Sequence, residues 1–259
     1  KVLKILLIGQ PNVGKSSLLN ALVGPKVVVS NYPGTTVEVT QAEKVFKNRK
    51  INFVDTPGIY SISDRSEEEK VTERVLFEEE ADGAIVIVDA TSLERSLYMA
   101  LQVLEARIPT ILTINFIEEA EKKGIKIDFK KLGKILNVPV VPINPITKKG
   151  IDKLLDVILK IKKTRKRTFK IEYDDDIEKV INKISSQIKG KLPRRFIALR
   201  VLEGDEDFYK YLKDEKVTEK FAKDISIVRY GTASFISEKV TRVMHLKKEE
   251  KLEEKVDNV

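Results

Sequence analysis

The sequence predicts an α/β fold, a mostly parallel sheet with helices on both faces, followed by a small all-α part. Three observations carry this. Apolar runs rich in β-branched residues alternate with segments of helical periodicity as far as Lys163. A glycine-bounded loop joins the first run to the first helical segment. Beyond Lys163 only helical periodicity recurs.

The elements follow in order. Leu3–Ile8 is a continuous apolar run, the pattern of a strand covered on both faces, and Lys15–Val23 has helical spacing. Val37–Phe46 alternates apolar and polar residues, which suits an edge strand pairing antiparallel with Ile51–Val54 across the turn Lys47–Lys50. Ala84–Val88, Thr110–Ile114 and Val138–Ile143 are further buried strands, with helices over Ser92–Ala106 and Ile151–Lys163. The basic run Lys162–Arg167 reads as a solvated linker, ahead of contact with an anionic membrane surface, and divides the chain into domains at 1–165 and 166–259. In the second, Asp174–Asp176 caps a helix whose Ile177, Val180, Ile181, Ile184 and Ile188 form one stripe. Amphipathic helices follow near Arg194–Glu203 and Ala233–Met244. Such short helices bury little alone, so they are expected to dock on each other or on the first domain.

Composition narrows the chemistry. With 259 residues, 42% apolar and 34% charged, the chain can build a core, and the absence of cysteine excludes disulfides, thiolate metal sites and Cys nucleophiles. The net charge of +8 is spread through mixed Lys/Glu runs rather than one basic stripe, so nucleic acid is not the expected partner. No apolar run reaches the roughly 18 residues that span a bilayer, so the chain is expected to be soluble, and its start at Lys1 suggests a piece of something longer. His245, the single histidine, reads as a charge partner at a helix end, and the acidic runs Glu67–Glu69 and Glu78–Glu80 as solvated helix faces.

Gly9-Gln10-Pro11-Asn12-Val13-Gly14-Lys15-Ser16 fits GxxxxGK[ST] between a strand and a helix. The glycines let backbone N–H groups wrap around phosphate at the positive end of the helix. Lys15 is placed to reach β- and γ-phosphates, and the Ser16 hydroxyl to ligate Mg²⁺. Gly9, Pro11, Asn12, Val13, Gly14 and Ser17 complete the phosphate side of the site. Asp55-Thr56-Pro57-Gly58 ends another strand: Asp55 suits Mg²⁺ held through water and Gly58 a γ-phosphate contact, although alone the four residues are an ordinary turn. Asn31–Glu38 is loop-like, and either Thr35 or Thr36 can put its hydroxyl on Mg²⁺, or else fill a sheet edge. These motifs make the first domain a P-loop NTPase of the Ras-like kind.

The base side departs from the usual pattern. Where such domains carry N-x-x-D, this chain has Asn115-Phe116-Ile117-Glu118. Glu118 keeps the charge and both acceptor oxygens of an aspartate that would bind the N1–H and 2-amino groups of guanine, but a further methylene adds a torsion. The alternatives are acceptance by Glu119 or a shifted loop, relaxed base selectivity, or an acidic residue that simply suits a helix start. The base-covering loop reads Asn144-Pro145-Ile146: Pro145 has no N–H, while Asn144 and Ile146 are expected to offer theirs.

GQPNVGKSS, NYPGTTVE, DTPGIYS and VDATSLERSLYMALQVLE together resemble the cytosolic N-terminal GTPase domain of FeoB-type ferrous iron transporters, and PRRFIALRVLEGDEDF and the RYG near Arg229 resemble that family's helical, GDP-affinity-modulating domain. The resemblance implies GTP/GDP and Mg²⁺ as ligands, Thr36 as the switch threonine on Mg²⁺, and Asn12 as part of a site for activating K⁺. It also implies a membrane transport domain in the same polypeptide and placement at the cytoplasmic face of the plasma membrane; self-association is left open by the sequence. Ile59 stands where a water-orienting glutamine is usual and cannot do that work, which leaves backbone groups of the Tyr32–Thr35 loop, Tyr32 and Gly34 among them, to hold the water. The expected reaction is GTP hydrolysis at about 10⁻³ to 10⁻² s⁻¹ unaided, with Lys15, Thr36, Gly58, Tyr32 and Gly34 closest to it. An Era-type RNA-associated GTPase and an NTP-binding sensor with little hydrolysis are the competing readings; the first needs a KH-like GxxG unit behind the G domain, and none is present.

Overall fold

The computed structural model describes residues 2–25, 27–63, 65–78, 80–161, 169–188, 192–213, 217 and 220–244. The linker 162–167, the boundary drawn at 165, His245 and the charged tail all lie outside these residues.

The chain opens with β1 (Leu3–Gly9), α1 (Lys15–Val23), β2 (Val28–Asn31), β3 (Glu38–Phe46), β4 (Arg49–Asp55) and α2 (Glu67–Glu78). It continues through β5 (Gly83–Asp89), α3 (Leu93–Glu105), β6 (Thr110–Asn115), α4 (Ile117–Lys122), β7 (Ile125–Ile127), α5 (Phe129–Leu136), β8 (Val140–Pro142) and α6 (Ile151–Leu159). One seven-stranded sheet has the order β2-β3-β4-β1-β5-β6-β8. β4, β1, β5, β6 and β8 run parallel, and β3 pairs antiparallel with β4, as the alternation of its sequence predicts. β3 is not the edge strand expected of it, because β2, which was not foreseen, pairs with its other side and takes the edge.

The apolar runs explain the layers. On β1, Ile5 and Leu7 pack with Leu18, Leu22, Leu154 and Ile158 of α1 and α6, while Leu6 and Ile8 join the core on the opposite face with Val71, Val75 and Leu97 of α2 and α3. Successive side chains point to opposite faces, so a strand needs apolar residues at every position only when helices cover both. The parallel strands therefore end together, and the loops after β1, β4, β6 and β8 share the carboxyl edge of the sheet, where such folds bind ligands.

The second part consists of α7 (Asp175–Gln187), α8 (Arg194–Glu203), a 3₁₀ turn (Glu206–Tyr211) and α9 (Ala222–Val240). Its core is continuous with that of α2 and α3, so the expected docking on the first domain occurs. It is not wholly helical. The helix expected over Ala233–Met244 begins at Ala222 and stops at Val240, because Thr241–Val243 forms β9 on the free edge of β7. Ile188 lies one residue past α7 but stays buried with its stripe.

Two buried arginines fasten the parts together. Arg200 of α8 donates to Glu73 of α2, to Glu203 (3.0 Å) and to Asp205 (2.8 Å). Arg229 of α9 donates to Glu105 of α3 through Nε (3.1 Å) and Nη2 (2.9 Å), and through Nη1 to Glu203 (2.8 Å) and the Tyr98 hydroxyl (3.4 Å). Tyr173 donates to the other oxygen of Glu105 (2.6 Å). A charge removed from water needs this degree of satisfaction, since each unpaired buried ion costs several kcal/mol, on the order of 3–5.

Candidate nucleotide-binding site

The loop between β1 and α1 is shaped by two left-handed residues, Asn12 (φ 62°) and Gly14 (φ 92°). Gly14 is required twice over: a Cβ there would lie 2.3 Å from Asn115 Nδ2. That amide instead donates to the Val13 carbonyl at 3.1 Å, so the asparagine after β6 braces the phosphate loop. On the other flank, Gln10 Nε2 donates to the Arg95 carbonyl of α3 (3.0 Å), a brace that the motif does not announce.

Lys15 folds back over this loop, and its ammonium donates to Asp55 Oδ1 and to the Thr56 carbonyl. The pair brings together the group chosen for phosphate and the group chosen for Mg²⁺. Burial pushes the Asp55 carboxyl above its ordinary value, and the ammonium beside it opposes that push. The DTPG segment is held flat against the P-loop. Thr56 donates N–H (3.2 Å) and Oγ1 (2.8 Å) to the Leu7 carbonyl, Ile59 N–H donates to the Gly9 carbonyl (3.2 Å), and a Cβ on Gly58 would press on the Pro11 backbone at 3.1 Å. Ile59 is 3% exposed and belongs to the core, so its side chain meets no solvent water.

Beyond it, Ile62 exchanges two hydrogen bonds with the Gln102 amide of α3, N–H to Oε1 at 2.8 Å and Nε2–H to the carbonyl at 3.0 Å. Three residues on, Glu105 holds Arg229. Sequence reasoning assigned neither residue a role; the LQVLE run was legible only through the family resemblance.

The loop with the two threonines folds on itself. Tyr32 N–H donates to the Val37 carbonyl (2.8 Å), while Thr35 donates to the Tyr32 carbonyl through N–H (3.0 Å) and Oγ1 (3.0 Å). The Thr35 hydroxyl is thereby spent within the turn. Thr36 is exposed and donates to Glu67 Oε2 at 3.4 Å, and Tyr32 and Pro33 line a cavity of about 290 Å³ with Phe77, Phe208 and Tyr211. In this arrangement the two threonines are held by the loop and by α2, whereas Ser16, at the head of α1, is exposed.

On the base side, Phe116 takes a left-handed conformation (φ 60°) that turns the chain into α4. Glu118 is half-buried in its first turn and Glu119 is exposed. One expectation is corrected: Asn144 and Ile146 do not hold free N–H groups. Asn144 N–H donates to the Lys149 carbonyl (3.0 Å), and Ile146 N–H to Asn144 Oδ1 (3.1 Å), because the asparagine side chain closes a turn over its own loop.

A phosphate loop, Asp55 at the end of the neighbouring strand and a brace from Asn115, set on this strand order, define a P-loop GTPase fold carrying a helical domain. The family model described as Ferrous iron transport protein B matches residues 3–158, and that described as FeoB cytosolic helical domain matches residues 173–258. The chain belongs to the FeoB family. It is 34% identical over 224 residues to the Fe(2+) transport protein A/Fe(2+) transporter FeoB fusion protein of Porphyromonas gingivalis, which covers 83% of this chain and 26% of that protein. It is 36% identical over 216 residues to the Fe(2+) transporter FeoB of Staphylococcus aureus, covering 82% and 32%. The chain thus spans between a quarter and a third of these relatives' length. The cytosolic domain of the T. maritima FeoB iron transporter superposes with a TM-score of 0.86 at 32% identity in its apo form, covering 93% of this chain and 100% of that one. Its GMPPNP form gives 0.86 at 32%, covering 93% and 99%. Among the described residues no helix is long and apolar enough to cross a membrane.

Proposed function

We propose that this chain binds GTP and GDP with Mg²⁺, hydrolyses GTP slowly, and serves as the nucleotide switch of a ferrous iron transporter whose membrane transport domain lies elsewhere in the same polypeptide. The observation that carries the proposal is the junction of Lys15 with Asp55 under a loop braced by Asn115. A cation and an anion selected for phosphate and metal already meet there, and the donor set of Ser16 hydroxyl and Asp55 carboxylate suits a hard divalent ion. Mg²⁺, when bound, neutralises charge on the β- and γ-phosphate oxygens.

The chain's own residues supply the rest. The loop from Gly9 to Ser17 points N–H groups inward at phosphate, and Lys15 leaves Asp55 to reach the β- and γ-oxygens. Gly58 meets the γ-phosphate, and Asn12 contributes to a K⁺ site in which a monovalent charge stands where an arginine finger otherwise would. Thr36 reaches the metal by giving up Glu67, and Thr35 by opening its own turn, so the Tyr32–Thr36 loop is the element that triphosphate orders and diphosphate releases. With Ile59 in the core, backbone groups of Tyr32 and Gly34 position the attacking water. Glu118 reads the base. The division into a G domain, 1–165, and a helical domain, 166–259, belongs to this proposal, as do self-association and placement at the cytoplasmic face of the plasma membrane; nucleic acid is not a proposed partner.

The test is phosphate release from GTP and ATP with Mg²⁺, in K⁺ and in Na⁺. The expected result is GTP turnover near 10⁻³ to 10⁻² s⁻¹, faster in K⁺, absent with EDTA, and lost together with nucleotide binding in Lys15→Ala. Equal use of ATP and GTP would defeat the proposal.

A further inference from the structure

We infer that the base-covering loop of this site offers no backbone donor to the C6 oxygen of guanine, so that reading of the base edge rests on Glu118, through N1–H and the 2-amino group. The inference rests on the guanine-nucleotide reading proposed above and deepens it.

Placement comes from the sheet. Pro142 of β8 pairs with Ile114 of β6, and Ile143 N–H donates to the Ile114 carbonyl at 2.9 Å. Residues 144–147 therefore leave the sheet beside Asn115–Glu118, over the same edge as the P-loop. Each backbone N–H in that stretch is either committed or missing. Asn144 donates to the Lys149 carbonyl (3.0 Å). Pro145 has no N–H. Ile146 (3.1 Å) and Thr147 (3.2 Å) both donate to Asn144 Oδ1, which pulls the two groups toward the asparagine and away from a ligand. What the loop presents outward is the Ile146 side chain, 90% exposed and apolar.

A carbonyl at C6 gains nothing from such a loop, and a weaker acceptor there loses nothing. The 2-amino group differs, because its removal leaves the Glu118 carboxylate with an unmatched acceptor oxygen. The site is thus tolerant at C6 and strict at C2, which makes Glu118, Asn144 and Pro145 its specificity-determining residues.

The experiment measures GDP, 6-thio-GDP, IDP and ADP affinities by titration calorimetry at pH 7 with Mg²⁺, on this chain and on Pro145→Ala. In 6-thio-GDP a sulfur replaces the C6 oxygen and accepts hydrogen bonds poorly. Expected values are 6-thio-GDP within about twofold of GDP, IDP weaker by about tenfold, and ADP weaker by about a hundredfold or more. In Pro145→Ala, GDP tightens about fivefold while 6-thio-GDP moves less, since the new N–H has an oxygen to meet only in GDP. A loss of more than about fivefold for 6-thio-GDP on the unmodified chain, with GDP still preferred to ADP, overturns this inference and leaves the guanine reading intact. GDP binding no tighter than ADP overturns the guanine reading, and the inference with it.

Discussion

Arg229→Met should cost the protein a large part of its stability, and the structure says how. The guanidinium is 2% exposed and makes four hydrogen bonds, two to Glu105, one to Glu203 and one to Tyr98. Methionine keeps much of the aliphatic stem, so the change removes charge rather than volume. Among the described residues Glu105 then keeps its hydrogen bond from the Tyr173 hydroxyl and Glu203 its bond from Arg200, which leaves about one poorly compensated negative charge in the core between α3, α8 and α9. Breaking one side of such a buried pair costs about 3–5 kcal/mol, against a total of about 5–15 for most domains. With a urea slope of about 3 kcal/mol per molar, the unfolding midpoint falls by about 1–1.7 M. Circular dichroism on Arg229→Met, Glu105→Gln and the double variant reads this directly. The double variant should lose much less than the sum of the single losses, because Arg229→Met has less left to break once the carboxylate is neutral. A single-variant loss below about 1 kcal/mol, or strictly additive losses, would refute the idea that this network fastens the helical part to the first domain.

Glu73 faces Arg200 beside Asp205 and Glu203, and burial together with the Asp205 carboxylate pushes its pKa up from 4.5 to about 8 while Arg200 opposes the rise. The folded state then holds a proton that the unfolded chain releases, so stability is full near pH 4.5 and is lost as pH climbs toward 8, by at most about 1.4 kcal/mol per unit. Urea midpoints at pH 5, 6, 7 and 8 should fall steadily, and Glu73→Gln should flatten the trend; an equally steep trend in that variant rejects the assignment. On the proposed reading, Glu118→Asp brings the carboxylate to the usual length and should tighten GDP several-fold, by roughly the worth of one better hydrogen bond, with ADP unchanged; calorimetry that shows ADP gaining equally means the residue does not read the base. Gln102→Ala strands the buried N–H and carbonyl of Ile62 and should cost about 1–3 kcal/mol in thermal or urea unfolding; no measurable loss would mean that the segment after DTPG finds other partners.

The P-loop and the DTPG turn were legible because their chemistry is local: left-handed glycine, a lysine and a hydroxyl at fixed spacing on a strand-to-helix turn. The parallel strands were legible because burial on both faces writes a continuous apolar run. β2 left no such mark, since all four of its residues are exposed and it is held by pairing alone. β7 and β9 are three residues each and exist through contact with one another across a long stretch of chain. The arginine network was invisible for a different reason. A charged residue on a helix is ordinarily read as a solvated face, and nothing near Glu105 or Arg229 in sequence says that the two are buried against each other.

Helix α3 shows what a long-range partner adds to a local pattern. Gln102 and Glu105 stand three residues apart, so they lie on neighbouring positions of one helical face. The first grips Ile62, just beyond the loop that carries Asp55 and Gly58; the second grips Arg229, which in turn shares Glu203 with Arg200, and Arg200 returns to Glu73 on the helix after that same loop. The segment following Asp55 is therefore tied to rigid structure at two points, by an amide pair on α3 and by the hydrogen bond that Arg200 of the helical part donates to Glu73. Weakening either tie frees one end and leaves the other held. Gln102→Ala and Glu73→Ala should therefore each leave most of the fold in place, and the double variant should loosen the stretch at Ile59–Ser63 and α2 more than the two single changes summed. Hydrogen exchange along that segment reads this, and equal protection in the double and the single variants would show that the two ties do not act on one element.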